Sequence, residues 1–181
     1  MLKIILEYLV KRCYSIIRIE RYLGVSVMDK NMLTIFDIAN FFRSKERMTH
    51  KKLQKLSYYA YAWYIALYNE DKDNINDRIC DKVVFEAWVH GPVCKVLYDK
   101  YSDNYGQVDK YDGKLNDLIS GETKKFLETI YKIFGKYSGD ELETMTHHEY
   151  PWQNARNTLP PSAPSNAPIL ESDMFEYYNN L

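Results

Sequence analysis

Apolar residues recur along this chain at helical spacing. Ile35, Ile38, Ala39 and Phe42 follow the i, i+3, i+4, i+7 rule, which predicts a short helix over 35–44 begun by Thr34 with Asp37. Thr49 then caps a longer helix reaching Tyr68. At 100° per residue, Leu53, Leu56, Ala60, Trp63, Tyr64 and Leu67 fall on one face of it. The far face carries Lys51, Lys55, Tyr58, Ala62 and Ile65. The pattern therefore predicts early turns that are wet on that face and later turns that are apolar all round. A helix of that kind is either surrounded by others or covered by a partner.

Beyond a charged loop at 69–81, Val83–Val89 is β-prone and predicts a short strand. His90-Gly91-Pro92 breaks it, and Pro92 suits the first turn of a helix striped by Val93, Val96, Leu97 and Tyr101. A polar stretch, 102–114, leads to a helix capped at Ser120, with Phe126, Leu127, Ile130, Ile133, Phe134 and Tyr137 inward. Ser138 with Glu141 reads as a capping box, and Thr146 with Glu149 as a second one. The second box launches a helix to Arg156, with Pro151 in its first turn. Residues 160–168 are proline-rich and extended, and Ser172 caps a last helix over 173–180. The expected fold is mainly α: a compact helical bundle with one short β element around 83–89.

Residues 1–31 read as a separate unit. Leu2, Ile5, Leu6, Leu9, Cys13, Ile16 and Ile17 predict an amphipathic accessory helix stopped by Gly24. The segment is alternatively translated sequence upstream of the true start, with Met28 and Met32 as candidate starts. Arg21–Ser26 has the character of a helix-turn-helix turn, but no recognition helix follows it, so direct DNA binding is not expected. The main domain is 32–181.

Composition changes this picture little. The chain has 181 residues, 46% hydrophobic and 27% charged, which suits one globular domain. A net charge of −1 gives no electrostatic reason to expect a nucleic-acid partner. Cys13, Cys80 and Cys94 fit neither a disulfide framework nor a zinc spacing, which points to a reducing, cytoplasmic setting. Charges interrupt the N-terminal apolar run, so no membrane span is expected. Among 17 tyrosines, those facing outward would be natural interface anchors.

Candidate chemistry is sparse. His50, His90, His147 and His148 lack HxxxH spacing, so no metal is expected. Cys94 lies four residues after His90, yet on an apolar stretch with nothing to lower its pKa. The glycines are scattered singly, which excludes a phosphate-binding loop. No catalytic residue and no cofactor is expected.

Four segments fit one pattern: MTHKKLQKLSYYAYAWYIALY (48–68), FEAWVHGPVCKVLYDKY (85–101), YSGDELETMTHHEYPWQNAR (137–156) and ILESDMFEYYNN (169–180). In this order and spacing they closely resemble the Panacea domain, which includes SocA-like antitoxins and phage-associated GepA proteins. The likeness covers about 150 residues, from Leu33 onward. Its motif positions include Thr49, Gln54, Trp63, Trp88, His90, Gly91, Pro92, Thr146, His147, Glu149, Pro151 and Trp152. The resemblance implies a mainly helical antitoxin that neutralises a protein toxin encoded beside it, by direct binding. One branch of the family instead delivers its toxin to the ClpXP protease, and a prophage-borne regulatory or host-interaction role is a further alternative. Some members carry fused DNA-binding domains, and no such domain is read here. Expected partner contacts are Lys51, Lys55, Tyr58 and Tyr61.

Overall fold

One helix runs through the centre of the molecule, and most of the other elements are placed by contact with it. The computed structural model describes residues 33–102 and 106–181, so the expected accessory helix at 1–31 lies outside the described residues. In chain order the elements are α1 (Ile35–Lys45), β1 (Met48–Thr49), α2 (His50–Tyr68), β2 (Phe85–Trp88), β3 (Gly91–Cys94), α3 (Lys95–Tyr101), β4 (Gln107–Val108), α4 (Gly121–Phe134), α5 (Gly139–His147), α6 (Tyr150–Arg156) and α7 (Glu171–Asn179). The fold is mainly α, with two small antiparallel sheets, β1–β4 and β2–β3.

Helix α2 is the central element. Fifteen of its nineteen residues are buried, so no side of it is left free. Helices α1, α3, α4, α5 and α7 all pack on it, α7 most extensively. Its aromatic residues meet rings from each direction. Tyr59 stacks on Phe134 of α4 at 4.0 Å and 7°, Tyr58 meets Phe85 of β2 edge-on at 5.4 Å, and Trp63 lies 4.8 Å from Tyr178 of α7. Each such pair adds about 0.5–1.5 kcal/mol beyond the burial of its surface.

Helix starts follow the expected caps in three places. Thr34 and Asp37 form a full capping box, Ser138 and Glu141 another, and the Thr49 hydroxyl accepts the Lys52 amide at 3.1 Å. Ser120 precedes α4 as expected but makes no side-chain cap bond, and two other expected caps are corrected. Thr146 does not begin a helix: it lies in the last turn of α5, where its hydroxyl donates to the Glu143 carbonyl. The cap of α6 is Glu149 itself, whose carboxylate is engaged by two tyrosines and does not fold back. Helix α7 starts at Glu171 behind Leu170, with no side-chain cap from Ser172.

The strand at 83–89 is real but belongs to a hairpin. Gly91, at φ 84°, turns the chain back, and Gly91–Cys94 pairs with Phe85–Trp88. Pro92 therefore sits in a strand, opposite Ala87, and the next helix begins three residues later than expected, at Lys95. A proline is tolerated there because β3 is an edge strand, paired only with β2. The proline-rich stretch lies along the other edge of β2. The Ala87 amide donates to the Ala167 carbonyl and the Ile169 amide to the Phe85 carbonyl, both at 2.8 Å. Glu86 faces Pro168 in this antiparallel strap.

Candidate functional site

The motif residues from distant segments converge where the hairpin meets α2. Gln54, 2% exposed, treats the end of β3 as a neighbouring strand would. Its Oε1 accepts the Cys94 amide at 2.9 Å and its Nε2 donates to the Cys94 carbonyl at 3.2 Å. The next residue, Lys55, is also buried, and its Nζ donates to the Pro92 carbonyl at 2.9 Å. Gly91 lies against this lysine. A Cβ there would come within 2.7 Å of Thr146 Oγ1 and 2.8 Å of Lys55 Cε. Burial drives the pKa of the Lys55 amine down to about 7, against a smaller opposing pull from Glu143.

Glu143 of α5 joins this place to the surface. Its carboxylate pairs with Lys51 Nζ at 2.6 Å and with His90 Nδ1 at 3.0 Å. Burial pushes its pKa up, but the hydrogen bonds from Lys51 and His90 outweigh that and hold it below the usual range. Lys51 also reaches Asp140 at 2.7 Å. Partial burial alone would lower its pKa, and the two carboxylates raise it instead.

Behind α2, Glu149 is a second buried acid. Tyr59 and Tyr178 donate to its two oxygens at 3.0 and 2.6 Å, and the Tyr178 hydroxyl lies 3.4 Å from that of Tyr58. Burial raises the pKa of this carboxyl to about 7, the tyrosine hydrogen bonds opposing the rise. On the far side of α2, Tyr61 donates to Glu171, which Arg78 grips through both Nε and NH2 at 2.7 and 2.6 Å.

Trp88, Val89 and His90 of the hairpin and Pro164, Ser165 and Asn166 of the strap form the two walls of an open groove of ≈ 590 Å³. Trp152, mostly buried, fixes the first wall by donating its indole N–H to the Trp88 carbonyl at 3.0 Å, and His147 stacks on it at 4.1 Å. Arg156, 2% exposed, ties the walls together. Its NH1 donates to the Ala87 carbonyl at 2.8 Å, and its NH2 donates to the carbonyls of Pro160, Pro161 and Ala163.

Three of the four expected partner contacts are not outward-facing. Lys55, Tyr58 and Tyr61 are 1%, 0% and 0% exposed, because β3, α7 and β2 cover the face that the helical wheel leaves open. Lys51 alone is partly exposed, and it is held by Asp140 and Glu143. The motif positions fall into clear places. Thr49 caps α2, and Trp63 is buried against Tyr178. Gln54, Gly91, Pro92 and Thr146 form the joint under the hairpin. Trp88 and His90 line the groove, His147 and Trp152 support it, Pro151 is buried in the first turn of α6, and Glu149 is the buried acid. Glu143, Arg156 and Tyr178 complete the arrangement without having been singled out in the sequence. Nothing in their local spacing sets them apart from ordinary helix residues.

The thiol pKa values of Cys80 and Cys94 are pushed up by burial, which is the opposite of activation for nucleophilic attack. Among the described residues no group of three or more His, Cys, Asp or Glu is placed to hold a metal ion, and no helix is long and apolar enough to cross a membrane. A family model described as antitoxin SocA-like, Panacea domain, matches residues 53–153. That span runs from the first turn of α2, through the hairpin, α3, α4 and α5, into α6. No curated protein and no solved structure matches the chain.

Proposed function

Since this chain belongs to the Panacea-domain family of SocA-like antitoxins, we propose that it is an antitoxin that binds a protein toxin directly and neutralises it without catalysing a reaction. The family match carries the reading, because it spans the segment that brings Lys55, Gly91, Thr146 and Glu149 together. The burial pattern supports it. The groups that would serve catalysis are enclosed by the scaffold: Lys55 and Glu149 are buried and hydrogen-bonded to a carbonyl and to two tyrosines, and the Cys94 thiol is buried. The partner is the product of the adjacent gene, and both work in the cytoplasm.

Co-expression tests this. The adjacent gene product alone should arrest growth, and growth should resume when this chain is made beside it, with the two proteins co-purifying. A neighbour that is harmless alone, or still toxic in the presence of this chain, refutes the reading. If growth resumes while the half-life of the neighbour collapses only in cells with an active ClpXP-type protease, delivery to that protease replaces occlusion as the mechanism.

A further inference from the structure

One carboxylate on the outer face of the hairpin has no cation beside it. Side chains two apart along a strand share a face, so Phe85 and Ala87 point into the core and Val84, Glu86 and Trp88 point away from it. Glu86 and Trp88 are both partly exposed. The Trp88 indole N–H donates to Glu86 Oε2 at 2.6 Å, so the carboxylate lies at the nitrogen edge of the ring. Among the described residues no lysine, arginine or histidine pairs with Glu86. The other charges of this region are engaged. Glu143 is held by Lys51 and His90. Arg156 is buried, donates to carbonyls and lies over the Trp152 ring at 4.8 Å.

The ring beside this carboxylate is a wall of the groove. Trp88 lines it with Val89 and His90, and Tyr98 of α3 packs on the indole at 4.8 Å and 53°. A tryptophan face attracts cations, and a carboxylate bonded to the indole N–H adds to the negative potential there. The opposite wall, Pro164, Ser165 and Asn166, carries no charged side chain, and the Asn166 side-chain carbonyl is an acceptor. An indole face, an uncompensated carboxylate and an amide acceptor together select a cation. A guanidinium suits them best, because its plane lies on the ring while its N–H groups reach the carboxylate at the ring edge. At ≈ 590 Å³ the groove is in the size range of clefts that receive a ligand.

The surroundings point to a cation carried by a protein. Glu86 opposite Pro168 sets the register of β2 against the strap, so Val84 faces Leu170. These two are 53% and 52% exposed, and they adjoin Glu86 on the same face. A free amine would leave this apolar pair bare, whereas a protein segment covers it with the residues that flank its basic one. Exposed apolar contacts around an arginine–tryptophan pair are what a protein interface uses as an anchor.

We propose that Trp88, Glu86 and Asn166 form a socket for an arginine of the partner protein, whose apolar neighbours rest on Val84 and Leu170. The socket rests on the binding role above and says where and through what chemistry that binding occurs.

The experiment uses the full chain, labelled with ¹⁵N, and the peptide acetyl-Leu-Ser-Leu-Ser-Arg-amide. A version with citrulline, which keeps the shape of arginine without its charge, is the comparison. The arginine peptide should shift the Trp88 indole and Asn166 side-chain amide signals, and the citrulline version should bind at least about tenfold more weakly. Glu86→Gln keeps an acceptor for the indole and removes the charge. It should weaken the arginine peptide by about tenfold, like the loss of one good charge contact, and bring its affinity close to that of the citrulline peptide. Glu122→Gln, the same change of charge on α4, should leave binding unchanged. Should Glu86→Gln not fold, the comparison of the two peptides on the parent chain decides by itself. Equal binding of both peptides, equal binding to parent and Glu86→Gln, shifts confined to other surfaces, or no shift at millimolar peptide overturns the proposal. Failure here with successful neutralisation in cells removes the socket and leaves the antitoxin reading. Arginine-dependent binding without neutralisation does the reverse.

Discussion

Gly91 is the position where a single methyl group meets two obstacles. Its φ of 84° lies in the left-handed region, and its missing Cβ leaves room for Lys55 and Thr146. Gly91→Ala combines backbone strain of about 1–2 kcal/mol with overpacking of about 1–3 kcal/mol, so urea unfolding should show a loss of about 3 kcal/mol. Gly121 separates the two causes. It too has positive φ, 51°, but nothing lies within 4 Å of its missing Cβ. Gly121→Ala should lose only the strain, about 1 kcal/mol. Equal losses at the two sites would show that the close approach at Gly91 contributes nothing. The motif position was legible in the sequence as a turn, and its second role was not, because Lys55 and Thr146 approach it from 36 and 55 residues away. The same distance explains Lys55 itself. A helical wheel orders residues around an axis but says nothing of what covers each face, and here a hairpin covers the lysine.

Among the elements, local chemistry foretold beginnings better than partners. The caps at Thr34, Thr49 and Ser138 act within four residues of chain, and each forms as its sequence implies. Thr146 and Glu149 carry the same local signature, yet Tyr59 and Tyr178 claim the carboxylate. A tertiary hydrogen bond thus outcompetes a local one, and no reading of four residues would reveal it. The hairpin shows the same limit: Pro92 suits a helix start, but pairing with Phe85–Trp88 wins. The strap is the clearest case of an element held from outside. Few amide bonds attach it to β2, and Arg156 supplies three more contacts to its carbonyls. Arg156→Lys keeps the charge but lacks the planar fork that reaches both sides at once. Amide exchange at Ala87 and Ile169, the donors of the two sheet bonds, should speed up at least about tenfold, with α1 and α4 unaffected, as local opening requires. Unchanged exchange at both amides would mean that the two sheet bonds hold the strap by themselves.

For the molecule as a whole, two buried ionisable groups flanking the same helix set an unusual pH dependence. Lys55 ordinarily titrates at 10.5 and is lowered to about 7 when folded. Below pH 7 it is charged in both states, and the buried ammonium destabilises the fold in full. Between 7 and 10.5 the unfolded chain holds the extra proton, so stability rises with pH. Glu149 ordinarily titrates at 4.5 and is raised to about 7. Below 4.5 it is neutral in both states and costs nothing. Between 4.5 and 7 the folded chain holds the extra proton, so stability falls as pH rises, and above 7 the buried carboxylate has its full effect. The two slopes have opposite sign and meet near neutrality, so together they place a stability minimum where many domains have a maximum. A tenfold change in proton affinity corresponds to about 1.4 kcal/mol, which makes the two limbs roughly 3 to 5 kcal/mol each. Other groups titrate over the same range, so the test is a difference between proteins. Glu149→Gln keeps an acceptor for the tyrosines, and its stability advantage over the parent should grow from pH 4.5 to 7 and then level off. Lys55→Met fills the same space, and its advantage should be constant up to pH 7 and shrink toward 10. Difference curves that are flat in both windows would mean that these two groups ionise inside the fold as freely as in water, which the hydrogen-bonded, solvent-excluded positions of both side chains argue against.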